Sequence, residues 1–225
     1  MKQIKAVLFD MDGILYDSMP FHVKAWKETM EKYEVNASLE DFYLFEGRTG
    51  ASTIDILFDR FLKRKARPEE IETIYAEKAK RFNELEGNES KLIPDVLEVL
   101  EQIKQLNIER VIVTGSGQQS LFEKIHKDFP GFFEKNKMVT AYDVQFGKPH
   151  PEPYLIGLKK VGVSAEKAVV VENAPLGVES GKAAGIFTIA VNTGPLPDRV
   201  LKDAGADLIL PSMKMLSQEI TSNWK

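Results

Sequence analysis

Asp10-Met11-Asp12-Gly13 closes an apolar run, residues 4–9, that reads as a strand buried on both faces. Two carboxylates one residue apart at a strand exit repel each other unless a cation lies between them. In open α/β sheets, ligands gather at the carboxyl ends of the strands. Asp10 and Asp12 are therefore candidate ligands of a divalent metal, and Gly13 lets the chain turn sharply behind them. The competing reading is a plain Asp-Gly turn. An EF-hand loop is excluded, because its third oxygen position and its distant Glu are missing.

Three later strand exits carry further chemistry. Val111-Ile112-Val113 runs into Thr114-Gly115-Ser116-Gly117, which offers hydroxyls and backbone N–H groups suited to phosphate. These glycines imitate part of a dinucleotide fingerprint, but the third glycine is absent and no strand acid follows about 20 residues on. Lys148, between Gly147 and Pro149, could neutralise a phosphoryl group or an aspartyl phosphate; the alternative is a surface lysine in a proline-rich loop. The run 168–171 ends in Glu172-Asn173, two more oxygen donors. Asn173 could instead cap the helix that Pro175 opens. Gly177, Gly181 and Gly185 are spaced to bring that helix close to the sheet.

These exits need elements to position them. Over 19–86 the apolar spacing is helical: Met19, Val23, Trp26 and Met30; a second helix over 38–45; then Ile54, Leu57, Phe58, Phe61 and Leu62; then a helix from Pro68 to Gly87. A helix starts at Pro94, and strand and helix then alternate. Strands are expected over 110–114, 138–141, 168–171, 187–191 and 207–210, with helices over 118–127, 153–161 and 175–184. Such alternation predicts an α/β fold: a doubly wound, Rossmann-like parallel sheet with an inserted all-helical segment. We expect a core domain from 1–17 and 92–225 and a helical cap domain over 18–91. Inserts on two linkers often act as lids.

Composition bounds the partners. The 225 residues are 43% hydrophobic and 28% charged, enough apolar material for a packed core. A net charge of −4 argues against a nucleic-acid partner. The chain has no cysteine, hence no thiol nucleophile or Cys-based zinc site. No run approaches the roughly 20 apolar residues of a membrane span. The expectation is a cytoplasmic monomer with a small phosphorylated substrate and no membrane partner.

The four exits, in this order and with this insert, resemble the haloacid dehalogenase superfamily of phosphotransferases along the whole chain. The helical insert resembles the cap of its β-phosphoglucomutase-like branch. The resemblance implies that Asp10 is a nucleophile that becomes an aspartyl phosphate and that Asp12 is the general acid/base. It implies that Thr114 and Lys148 hold the transferring group, and that Asp10, the Asp12 carbonyl and Glu172 or Asn173 surround Mg²⁺. The family more often has Asp where Asn173 stands.

The insert should choose the substrate. In the mutases the loop matching Phe45-Glu46-Gly47-Arg48-Thr49-Gly50 carries a Lys and an Arg; here Glu46 and Gly50 stand in their places. His22 and Trp26 match mutase positions. An acid facing a second sugar-bound phosphate would repel it, whereas Glu46 closing on the metal leaves room only for a small leaving group. This loop, Thr114-Gly-Ser-Gly-Gln and Glu172-Asn-Ala-Pro-Leu-Gly are most similar to the inorganic pyrophosphatase branch of the superfamily in gut Bacteroides. Pyrophosphate hydrolysis is thus the leading expectation, with a sugar-phosphate phosphatase or mutase as its rival. Arg48, Lys78, Lys80 and Arg81 are cations that could meet the second phosphate. A phospho-accepting receiver module is a remote alternative, since it lacks an inserted lid and an acid at position 12.

Overall fold

The structure is a computed structural model that describes residues 3–87, 91–117 and 120–224. Strand β1 (Ala6–Phe9) is buried throughout. Its side chains alternate, Val7 and Phe9 entering one apolar cluster and Ala6 and Leu8 another. A strand apolar at every position demands cover on both faces, and the rest of the chain supplies it.

Helices α1 (Met19–Glu31), α2 (Leu39–Leu44), α3 (Gly50–Leu62) and α4 (Pro68–Glu86) follow β1. Their apolar stripes meet one another in a separate cluster that includes Val23, Met30, Phe42, Leu57, Phe58 and Ile74. The starts of these helices were legible. Ser38 and Asp41 form a reciprocal capping box at α2. The Thr49 side chain accepts from the Ser52 N–H at α3, and Pro68 occupies the first turn of α4.

The chain then runs through α5 (Val96–Gln105), β2 (Glu109–Val113), α6 (Ser120–Asp128), β3 (Met138–Val139), α7 (Glu152–Val161), β4 (Ala168–Glu172), α8 (Pro175–Ala183), β5 (Phe187–Val191), α9 (Asp198–Asp203), β6 (Leu208–Leu210) and α10 (Met213–Asn223). All six expected strands are present. Helix α5 starts two residues after Pro94, because Asp95 is left-handed at φ 65°. Strand β3 stops before Thr140, whose N–H and hydroxyl both donate to Asp143 and turn the chain away. Part of the helix expected over 118–127, namely Gln118 and Gln119, lies outside the described residues, as does Asn88 near the second linker. Helices α9 and α10 were not anticipated.

The six strands form one parallel sheet in the order β3-β2-β1-β4-β5-β6. Helices α5, α6 and α10 contribute Leu100, Ile125, Leu216 and Ile220 to the cluster on one face. On the other face Tyr154 and Leu158 of α7 pack beneath Leu8 and Val170, and Val178 and Leu201 beneath Ala190. Strand order reverses between β1 and β4, the crevice where doubly wound sheets bind ligands.

Candidate active site

Pairing puts Phe9 level with both Ile112 and Val171, so Asp10, Thr114 and Glu172 leave the sheet along one edge. The Asp10 N–H donates to the Val171 carbonyl at 3.0 Å. Gly13 turns the chain at φ +79°, and a Cβ there would fall 2.1 Å from Asn173 Nδ2. Only glycine meets both demands.

Lys148 is the hub of the site. Its Nζ donates to Asp10 Oδ1 at 2.5 Å, Glu172 Oε1 at 2.6 Å and the Val113 carbonyl at 3.0 Å. An ammonium has three donors, and all are used. Burial disfavours its charge, but Asp10 and Glu172 outweigh burial and hold Lys148 above the usual lysine range.

Glu172 is fully buried. Its Oε1 also accepts from the Tyr154 hydroxyl at 2.7 Å, and its Oε2 accepts the N–H groups of Asn173 and Ala174 at 3.0 and 3.3 Å. Both oxygens are thus taken by protein donors. Here Glu172 brackets Lys148 and the turn. Asn173 is not the helix cap, since Ala174 occupies that position. Its Nδ2 donates to Glu46 Oε1 at 2.8 Å, while its Oδ1 is buried with no partner.

Glu46 arrives from the helical insert and is 8% exposed. Burial, then the neighbouring Asp10, push its carboxyl well above the usual range, against the pull of Asn173. The loop that carries it lies directly on the strand exits. A Cβ on Gly115 would come within 2.6 Å of the Gly47 carbonyl, and one on Gly47 within 2.9 Å of Lys148 Cδ.

Asp12 has different company. Its Oδ1 accepts from Ser18 Oγ at 2.5 Å and lies 3.2 Å from His22 Nε2. His22 Nδ1 lies 2.6 Å from Lys78 Nζ, and the ring stacks on Phe82. A donating Lys78 leaves Nε2–H as the imidazole donor to Asp12. Burial pulls Lys78 down to about 8, against Asp12. Burial, then Lys78, lowers His22 against Asp12. Burial would raise Asp12, but His22, Ser18 and Lys78 outweigh it and hold the carboxyl below the usual range. Asp10 goes the other way: burial, Glu172 and Asp12 push it up to about 8 against Lys148. The two carboxylates are thus driven in opposite directions, as ionisable groups at functional sites commonly are.

Asp10, Asp12, His22, Glu46, Arg48 and the 114–116 turn surround a cavity of about 70 Å³ between insert and sheet edge. Trp26, Phe42 and Phe45 give it an aromatic wall. Thr114 Oγ1 accepts from the Ser116 N–H at 3.0 Å, so its own proton remains to be donated. Of the four candidate cations, Arg48 and Lys78 line the cavity. Lys80 is exposed, and Arg81 pairs with Glu28 and Glu84 instead. Arg48 is partly buried, and its Nε has no partner. Sequence reasoning passed over Ser18 and Tyr154. Ser18 stands at the expected domain boundary and Tyr154 within the helix expected over 153–161, and neither residue type by itself signals a carboxylate partner.

The residues fit a hard divalent cation. Asp10, Glu46 and Glu172 carry three potential negative charges against the one ammonium of Lys148, and the orphaned Asn173 Oδ1 lies among them. Among the described residues, no three His, Cys, Asp or Glu side chains form a ready cage. Mg²⁺ suits such a site, because it takes one or two carboxylates and keeps several waters.

A model of the haloacid dehalogenase-like hydrolases matches residues 7–191. A phosphorylated carbohydrates phosphatase of Thermotoga maritima is 31% identical, the match spanning 95% of this chain and 97% of that one. The pyrophosphatase PpaX of Oceanobacillus iheyensis is 27% identical over 94% of each chain. A solved structure from Bacteroides vulgatus, provisionally described as a beta-phosphoglucomutase, superposes with a TM-score of 0.93 at 49% identity. That superposition covers 97% of this chain and 88% of the other. The sheet order, the converging strand exits and these matches agree: the chain belongs to the haloacid dehalogenase-like hydrolases, in their β-phosphoglucomutase-like branch.

Proposed function

We propose that this protein is a Mg²⁺-dependent phosphohydrolase that works through an aspartyl phosphate on Asp10, with inorganic pyrophosphate as its preferred substrate. Residues 18–91 act as the lid over a core of 1–17 and 92–225. The observation that carries the substrate reading is Glu46. A buried acid hydrogen-bonded to Asn173 across the seam leaves a cavity of about 70 Å³. That is far below the roughly 300 Å³ where pockets for drug-sized ligands begin.

Asp10, the Asp12 carbonyl and Asn173 Oδ1 would hold Mg²⁺, with Glu46 beside them. The ion supplies charge neutralisation and a template for the phosphoryl oxygens. An Asp10 oxygen attacks phosphorus, and the bond to the departing phosphate breaks. Lys148 offsets the charge repulsion of that approach, and the Thr114 hydroxyl with the Gly115 N–H holds the equatorial oxygens, the Ser116 N–H fixing the Thr114 oxygen. Arg48 and Lys78 meet the departing phosphate. Water then attacks the aspartyl phosphate, Asp12 accepts its proton, and Asp10 is regenerated.

The state of Asp12 supports an anhydride substrate. His22, Ser18 and Lys78 favour its ionised form, which can accept a proton from water but holds none to give to a leaving group. Phosphate leaves without much help from an acid, whereas a sugar alkoxide needs a proton. The rival, a sugar-phosphate phosphatase, draws on the aromatic wall of Trp26, Phe42 and Phe45 and on the Thermotoga relative. Kinetics of the Glu46→Ala variant separate the two. Hydrolysis of pyrophosphate should fall far more than that of a small aryl phosphate; equal losses would remove Glu46 from substrate choice.

A further inference from the structure

A second cavity, of about 200 Å³, opens on the opposite side of the Glu46–Asn173 pair. Asp17, Tyr43 and Glu46 line it on one side, and Gly13, Asn173 and Gly194 on the other. Glu46 borders both cavities and accepts a 2.8 Å hydrogen bond from Asn173, which lines the second. The two cavities differ in their charged lining. The first sets Arg48, Lys78 and His22 beside Asp10, Asp12 and Glu46. The second has no Lys, Arg or His among its described lining residues, and it has the exposed carboxylate of Asp17 at its rim. A low-dielectric cleft lined by one sign of charge draws in ions of the other.

We propose that this second cavity is a cation entrance. A divalent cation reaches the Asp10 site from the side, past Glu46 and Asn173, while the anionic substrate uses the first cavity. Two observations apart from the acidic lining support it. Asn173 is 6% exposed and borders the cavity, and its Oδ1 is buried without a partner. Glu46, which shares the wall, places a second oxygen donor, Oε1, beside Asn173. An ion that used the first cavity would have to pass Arg48 and Lys78, and a bound substrate would block it. The inference rests on the reading that Asp10 and Asn173 hold a divalent cation.

The chain has no cysteine, so Gly194→Cys creates a unique thiol at the cavity wall. A Cβ at position 194 meets nothing within 4 Å, and the position has no left-handed backbone to strain. Mn²⁺ is the probe, because it accepts the same oxygen donors and quenches nearby tryptophan; Trp26 lines the first cavity. Stopped-flow association and dissociation of Mn²⁺ are measured before and after a bulky neutral thiosulfonate caps the thiol, and again after reduction. A blocked route slows both rates by the same factor, expected at about tenfold or more, with Kd within about twofold, and reduction restores both. Asp17→Lys, an exposed change, should slow association several-fold at low ionic strength, with the effect shrinking as salt is raised. Unchanged rates in the capped protein would overturn the entrance while leaving the metal site standing. A changed Kd at an unchanged association rate would overturn it too, because the cavity would then contribute ligands and not passage. Absence of Mn²⁺ binding to the uncapped protein would overturn both readings.

Discussion

Lys148 shows how one residue sets the state of its neighbours. Among the described residues it is the sole ammonium touching two buried carboxylates, Asp10 and Glu172. Removing it in Lys148→Met leaves both without their cation, a loss of about 3–5 kcal/mol by analogy with other broken buried pairs, read from denaturant midpoints. Tyr154→Phe removes only the second donor to Glu172 Oε1 and should cost about 1–3 kcal/mol. Asp10→Asn should abolish turnover with the fold intact by circular dichroism, and Asp12→Asn should lower kcat by roughly 10²–10⁴-fold. The raised acid of Asp10 has a pH signature. The metal-free folded protein keeps a proton there between 3.8 and about 8 that the unfolded chain gives up. Its stability therefore falls as pH rises through that window. Mg²⁺ must displace this proton, so the gain in melting temperature at fixed Mg²⁺ should be larger at pH 8 than at pH 6. A gain independent of pH would contradict the assignment.

Elements explain both what was legible and what was not. Apolar runs bounded by Gly, Pro and acids marked every strand, because a strand buried on both faces has no polar position to blur it. The strand exits were legible for the same reason: Asp10, Thr114 and Glu172 follow directly on such runs. Direction was not. Even-numbered positions of β4 face α7 and α8, which sends Glu172 to Tyr154 and Lys148 and away from the groove. Strand pairing decides that, and it is non-local. Spacing of Gly177, Gly181 and Gly185 suggested close helix packing, which holds for two of them. A Cβ would meet Glu172 at Gly177 and Thr188 at Gly181, whereas Gly185 has open space and φ +74° and serves the turn after α8. The seam between insert and sheet depends on the same kind of closeness. Gly115→Ala drives a methyl towards the Gly47 carbonyl, so the loop carrying Glu46 cannot seat fully. Its kcat/KM on pyrophosphate should fall by more than about tenfold with little change in melting temperature, since misplacement of about 1 Å can cost 10²-fold.

Across the whole molecule, charge is sorted by location. The chain is net negative, yet the cavity between insert and sheet gathers Arg48, Lys78 and His22 around two strand-exit carboxylates. The insert contributes Glu46, His22 and Lys78, and the sheet contributes Asp10, Asp12, Thr114 and Lys148, so neither part holds a complete site. Relatives of similar length and identity include both a phosphorylated carbohydrates phosphatase and a pyrophosphatase, so family membership does not choose the substrate. The proposed preference for pyrophosphate rests instead on the small cavity and the ionised Asp12. The direct test is kcat/KM, with Mg²⁺ and with chelator, for pyrophosphate against glucose 6-phosphate, a hexitol phosphate and glycerol 1-phosphate. The account expects Mg²⁺-dependent turnover with pyrophosphate the fastest substrate; faster turnover of any of the sugar or polyol phosphates would contradict it.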